Sequence, residues 1–378
     1  MAQWLNTGRF YRMTAALIAV AACGMGYAEE SAAGLLPMIK KHTTLTSTIP
    51  DNGDLNPYAV VVAPATVGKL TQGDVLITNF NNTTNLQGTG TTIVDYNPST
   101  KRLTTFAQLS HELPGCPGGV GLGTALAVLK SGWVVVGSTP SNDGLTDSKG
   151  AGCLIVLDAN GKVNQVVADE LINDPWGNMA VVDNGTTATL FLSNAGFGVG
   201  SANGKPPVVN KATVLRVELS IPEGKAPQIT SKTVVADGFG EQADKSVFLV
   251  GPTGLALGEG GKLYVSDALA NRIVVIDDAL HRTSSGGTGS VVTEGGMLSR
   301  PLAMTTTPLG HLLVTNGLNG KVVEIDPVAG KQLYSRWIDA NKAQTPPGNG
   351  DLFGLAMTPD GRGFYYVEDD VNTLVLAQ

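Results

Sequence analysis

The stretch Gly251 to Asp277, GPTGLALGEGGKLYVSDALANRIVVID, holds three short strands, two turn signals and a closing Asp. A Pro-x-Gly opener leads into an apolar run at Leu255 to Leu257. A Gly-rich turn at Gly258 to Gly261 follows, then strands at Leu263 to Ser266 and Arg272 to Ile276. This is most of one β-propeller blade. A lone blade cannot bury both of its faces, so it has to be one of a ring.

Five weaker copies flank it. Their openers are Asn56-Pro57-Tyr58, Cys116-Pro117-Gly118, Asp174-Pro175-Trp176-Gly177, Arg300-Pro301-Leu302 and Asp351-Leu352-Phe353-Gly354, each followed by an apolar strand. Second strands follow at Val75 to Thr78, Trp133 to Ser138, Leu190 to Ser193, Leu312 to Thr315 and Phe364 to Val367. Several third strands close on Asp (Asp95, Asp158, Asp326) ahead of Asn-Pro, Asn-Gly and Asp-Pro turn clusters. The sixth copy is one strand short, and an unassigned strand-like run, His42 to Ile49, precedes the first.

The Gly251 to Asp277 segment resembles the NHL repeat, with Tyr264, Val265, Ser266, Asp267, Asn271, Arg272 and Ile273 in the positions that family favours. The resemblance implies an all-β, six-bladed β-propeller of four-stranded antiparallel blades. Closure by the N-terminal strand is expected, because it removes an exposed sheet edge. One domain over residues 36–378 follows, with blades near 56–110, 116–168, 174–236, 251–294, 300–339, and 351–378 plus 42–49. Composition agrees: 48 Gly, 20 Pro and 15% charged residues suit short strands and tight turns. Radial repeats grow by adding blades, so a length of 378 residues does not demand two domains.

Residues 1–28 read as a signal peptide. Arg9 and Arg12 form a basic region, Met13 to Ala22 an apolar one, and Gly26-Tyr27-Ala28 a small-residue cleavage site. The apolar region is too short to span a bilayer, which takes ~20 residues, so no transmembrane segment is expected. The expected location is the periplasm or the exterior. Val20-Ala21-Ala22-Cys23 also resembles a lipobox, which would make Cys23 a lipidated N-terminus. In an oxidising compartment Cys116 and Cys153, both in the second blade, can form a disulfide; two buried unbridged thiols are the other reading.

Setting Arg9 and Arg12 aside takes the 25 bases to 23 against 32 acids, a net charge of −9. An acidic chain without basic clusters disfavours nucleic acid and anionic membrane surfaces as partners. The Gly-rich stretches Gly115 to Gly123 and Ser284 to Gly289 are not phosphate cradles, since neither joins a strand to a helix. A closed ring offers little edge for strand pairing, so a monomer is expected.

Loop lengths point to one functional face. Connections between second and third strands (Asn79 to Thr91, Thr139 to Gly152, Asn194 to Thr213) and links between blades (Ser110 to Gly119, Ala236 to Pro252, Asp339 to Phe353) are long and emerge on the same side. Ala65 to Gly73 and Ala279 to Gly289 point the other way. The repeat register sets Asn79, Ser138, Asn194, Asp267, Asn316 and Asp369 just after the second strands, and Tyr58, Trp176, Asn178 and Phe353 just before the first. Amides, carboxylates and aromatic faces around a channel mouth suit a sugar, a lactone or a peptide. Capping of local turns and packing between blades are the structural alternatives for the same residues.

Six-bladed lactonases of the gluconolactonase type hold a divalent cation with Glu, Asn and Asp, an oxygen shell suited to a hard ion. Asn178, Asp267 and Asp369 are the residues here that could supply such a shell. The Asn-Gly opener of that family is replaced by Trp176-Gly177, Thr253-Gly254 and Phe353-Gly354. Propeller lyases and quinone-dependent sugar dehydrogenases need a His, and His42, His111, His281 and His311 all fall on outer strands, links or the opposite face. The sequence therefore points first to a scaffold that binds a protein, peptide or glycan on its loop-rich face, with no catalytic residue assigned. The alternative is a hydrolase or lactonase dependent on calcium or another divalent cation.

Overall fold

The Val-, Leu- and Ile-rich runs form short strands, and the only helices among the described residues are single 3-10 turns at Leu36–Met38, Thr146–Ser148 and Glu259–Gly261. The structure is a computed structural model and describes Met1, residues 33–339 and residues 341–378. The expected signal peptide and Cys23 lie outside the described residues. Among those described, no helix is long and apolar enough to cross a membrane. Gly34 to Gln378 make one compact unit.

Six antiparallel blades form a β-propeller. Blade one comprises Leu55–Val62, Val75–Asn81, Thr92–Asn97 and Arg102–Gln108; blade two Leu122–Val128, Val134–Ser138, Cys153–Leu157 and Val163–Val167. Blade three runs Ala180–Asp183, Thr187–Asn194, Val209–Ser220 and Gln228–Asp244, with a short fifth strand, Phe248–Val250. Blade four is Pro252–Leu257, Leu263–Asp267, Arg272–Ile276 and Ser290–Glu294; blade five is Pro301–Thr306, Leu312–Asn316, Lys321–Asp326 and Lys331–Trp337. Blade six takes Leu352–Met357, Phe364–Glu368 and Thr373–Ala377 from one end of the chain and His42–Ser47 from the other. The expected closure is observed: His42 pairs with Ala377 and Ser47 with Thr373, antiparallel. Just ahead of this strand, the buried Glu324 carboxylate accepts the backbone N–H groups of Leu35 and Leu36, both at 2.9 Å, and lies 2.9 Å from His311 Nδ1.

Apolar residues collect into a cluster at each interface between neighbouring blades. Leu76, Leu126 and Ile155 join blades one and two, and Ile77, Val367 and Leu374 join blades one and six. A hydroxyl on the second strand commonly reaches a carbonyl on the next blade's inner edge: Thr78 to Gly123 at 2.7 Å, Ser266 to Leu302 at 2.6 Å, Thr315 to Phe353 at 2.9 Å. The opener glycine of blade four permits this close approach. A Cβ on Gly254 would collide with the Leu302 oxygen, so blade four could not dock on blade five with any larger residue there.

Blade three departs from expectation. Its outer strand continues to Asp244, so the segment Ala236 to Pro252, read as a long link, is mostly strand. Pairing of Val209 with Glu241 and of Ala212 with Phe239, across several bulges, extends the outer hairpin past the body of the blade.

Third-strand Asp residues behave as turn caps in two of three cases. Asp158 accepts from the N–H groups of Asn160 and Lys162, and Asp326 from those of Val328 and Ala329. Asp95 differs. One of its oxygens is buried without a partner, and burial, with the Asp74 charge beside it, pushes its pKa up to about 7. Because the folded-state pKa lies above the unfolded one, the folded chain holds an extra proton between about pH 4 and about pH 7. Stability therefore falls across that window and the contribution is gone once pH has risen through 7. Asp95→Asn should raise the melting temperature clearly at pH 8.5 and much less at pH 5; an equal gain at both values would contradict this account.

Candidate functional site

Five rings pack together toward the loop-rich face: Tyr58, Phe80, Trp176, Phe248 and Phe353, each no more than 3% exposed. Tyr58 stacks on Phe353 at 3.9 Å and on Phe80 at 4.6 Å, while Trp176 meets Tyr58 and Phe80 edge-on. Phe248, on the additional fifth strand of blade three, meets Phe80 edge-on at 5.7 Å. Gln87 of blade one donates to the Ser246 carbonyl at 2.8 Å, so the Asp244 to Val250 segment reaches over the mouth. Tyr58, Trp176 and Phe353 thus pack on one another instead of lining an open channel.

The polar residues read as rim positions are buried, and most hold the chain to itself. Asn79 donates to the Thr48 carbonyl at 3.1 Å, Asn194 to Leu171 at 3.1 Å and Asn316 to Met297 at 2.9 Å. Each amide clips the end of a second strand to the segment that leads into its own blade, a role the sequence register could not separate from ligand binding. Ser138 bridges the Gly119 carbonyl and the Gly121 N–H. Asp267 is ion-paired with Arg272 at 2.9 Å.

Asn178 faces elsewhere. Its Nδ2 donates to the carbonyls of Leu255 and Met304, and its Oδ1 accepts from the Met304 N–H. It lies at a cavity of about 300 Å³ lined by the inner strands of all six blades. Asn178 and Asp267 therefore have partners within the fold, and neither offers a free oxygen to a cation together with Asp369.

Free oxygens occur at another place on the loop-rich face. Asp339 follows the outer strand of blade five, Asp351 precedes the inner strand of blade six, and Asp370 sits in the hairpin between the second and third strands of blade six. One carboxylate oxygen from each lies within 4.8 Å of the others. Asp339 and Asp351 are 7% and 2% exposed, and the Oδ2 of each, like Gln344 Oε1, is buried without a hydrogen-bond partner. Asn341 donates to Asp339 through its backbone N–H and to Asp370 through its side-chain amide, and Gln344 donates to Asp351 Oδ1. Burial, then the charges of Asp370 and Asp339, pushes Asp351 up to about 7. Asp369, the one predicted residue beside this cluster, is driven well above the carboxylate range by burial and then by Asp351 and Asp370. The buried oxygens that these donors leave free, Asp339 Oδ2, Asp351 Oδ2 and Gln344 Oε1, suit a hard divalent cation. Sequence reasoning missed Asp339 and Asp370 because the three segments meet only in the closed ring; the acidic run Glu368-Asp369-Asp370 was the visible signal.

No protein-family model matches the chain, and no curated protein matches it. Solved structures do. A gluconolactonase from Xanthomonas campestris aligns at TM-score 0.54 and 13% identity, over 89% of this chain and 88% of that one. A luciferin-regenerating enzyme aligns at 0.55 and 12%, over 89% and 95%, and the calcium-binding protein regucalcin from Agrobacterium tumefaciens at 0.51 and 13%, over 90% and 93%. The likeness is one of fold.

Proposed function

We propose that this propeller is a divalent-cation-dependent hydrolase of the lactonase type, with its cation held by Asp339, Asp351 and Asp370. The carrying observation is the pair of buried, partnerless oxygens on Asp339 and Asp351 beside Asp370. Propellers of this fold include proteins described as a gluconolactonase and as calcium-binding regucalcin, which supports the reading. A cation there would polarise an ester carbonyl and favour ionisation of a bound water. The exposed Asp370 opens the position to solvent, while Asn341 and Gln344 orient the three carboxylates. The Cys116–Cys153 bond suits the exported location read from the N-terminus.

The aromatic plug favours a second reading, a scaffold that binds a macromolecule across the covered face. Elemental analysis of the purified chain, followed by hydrolysis assays on sugar lactones and aryl esters with calcium or with chelator, separates the two. The hydrolase reading expects one ion per chain, hydrolysis lost on chelation and restored by calcium, ion binding lost in Asp351→Asn, and ion binding weakened about 10–100-fold in Gln344→Leu, which removes the amide that orients Asp351. Absence of both ion and hydrolysis would leave the scaffold reading.

A further inference from the structure

On the side of the ring away from the loop-rich face, turns of blades two and three enclose a cavity of about 560 Å³ that neither reading uses. Blade two supplies the turn between its first two strands, with Ser131 and Trp133, and the turn between its last two, with Asp158 and Asn160. Blade three supplies the matching turns, at Gly185 to Thr186 and at Ile221 to Lys225. These walls are tied together. Lys130 donates through its backbone N–H to Asp183 Oδ2 at 2.6 Å and through Nζ to the Asp183 carbonyl at 2.8 Å, which pins the blade-two turn to blade three. Ile221 donates to the Thr186 carbonyl at 2.7 Å, joining the two blade-three turns. The cavity is therefore preformed, and its volume falls among those of small-molecule sites, roughly 300–1,000 Å³.

Its lining is of two kinds. Trp133, half-buried, stands with Ile221 and Pro222 as an apolar surface, and the exposed Asn160 and Glu223 and half-buried Asp158 stand around it. Asp158 spends Oδ1 on its own turn, accepting from the N–H groups of Asn160 and Lys162, which leaves Oδ2 for a ligand. Ser131 Oγ is buried without a hydrogen-bond partner. A hydrocarbon ligand would leave that hydroxyl and the polar rim unpaired, at a cost in free energy. An anion would gain nothing either, since Asp158 and Glu223 outweigh Lys225. We propose that this cavity binds a neutral oligosaccharide, with the C–H face of one sugar ring against Trp133 and its hydroxyls bonded to Ser131, Asp158, Asn160 and Glu223. A sugar ring offers that pairing: axial hydrogens make a flat apolar face, and the hydroxyls at its edge donate to carboxylates and both donate to and accept from an amide or a serine. The site shares no residue with Asp339, Asp351 and Asp370, so it needs no cation and stands whether or not the chain is a hydrolase.

Screening the purified protein on printed arrays of neutral glycans, acidic glycans and peptides tests this, with the strongest glycan then titrated by calorimetry in the presence of chelator. A neutral oligosaccharide should bind best. Trp133→Ala should weaken it at least about tenfold and Ser131→Ala about 2–10-fold. Circular dichroism checks that both variants fold, and Glu223→Ala, an exposed change, carries the test if Trp133→Ala does not. Asp351→Asn should bind the sugar as well as wild type does. Retention of no neutral glycan, a preference for acidic glycans or peptides, or affinity unchanged in both Ser131→Ala and Glu223→Ala would each overturn the proposal. Loss of binding in Asp351→Asn would also overturn it, by moving the sugar to the acidic cluster.

Discussion

Phe80→Ala is expected to lower stability by about 4 kcal/mol, the range found when a buried aromatic is cut to a methyl group. Phe80 is fully buried and touches Tyr58 of its own blade together with Trp176 and Phe248 at blade three. Removing it empties the centre of the plug, and the neighbours cannot collapse freely because they belong to separate parts of the ring. Phe80→Leu keeps most of the volume and loses mainly the ring-to-ring geometry, worth about 0.5–1.5 kcal/mol per pair. Urea unfolding of both variants checks the difference; equal, small losses would show that the plug is loosely packed. Phe248 has φ +71, a conformation rarely adopted by a bulky residue. Its ring is the reason to tolerate that backbone, since it brings blade three against Phe80 of blade one.

Opening the Cys116–Cys153 bridge is the other large effect, about 4 kcal/mol by the loop-entropy relation for a separation of 37 residues. Both cysteines belong to the interface cluster between blades one and two, so serine at either site would add a buried polar group. A Cys116→Ala and Cys153→Ala double variant is the cleaner comparison. Its melting temperature should fall well below wild type under oxidising conditions, and addition of reductant should lower only the wild type. No difference between the two proteins without reductant would mean the bridge contributes nothing to the folded state.

Local chemistry made the fold legible. Pro and Gly openers and short apolar strands recur from blade to blade, Asp closes the third strand in several of them, and the orphan strand His42 to Ile49 had an obvious vacancy to fill. The candidate site was not legible in the same way. Asn79, Asn194 and Asn316 stand where a ligand contact or a backbone clip would stand, and only the hydrogen bonds to Thr48, Leu171 and Met297 decide. Tyr58, Trp176 and Phe353 were placed at the mouth, but Phe248, the ring that completes the plug, comes from a strand extension that short-range pattern could not announce. The acidic cluster draws on three segments with no spacing rule between them. Sequence periodicity reports what repeats, and function on this scaffold depends on what does not.

The clasp at Glu324 and the strand beyond it give the molecule a test of completeness. His42 meets Tyr366 across 324 residues of chain, and Thr48 donates to Asn372 across the same separation. The first blade strand to be synthesised is the last to find a partner. Every intermediate length leaves it unpaired, along with the flank of blade one that blade six would cover, and such unsatisfied edges invite association with other chains or proteolysis. A product that ends before Thr373 leaves the His42–Ser47 strand with no partner at all, and its open edge sets it apart from the full-length ring.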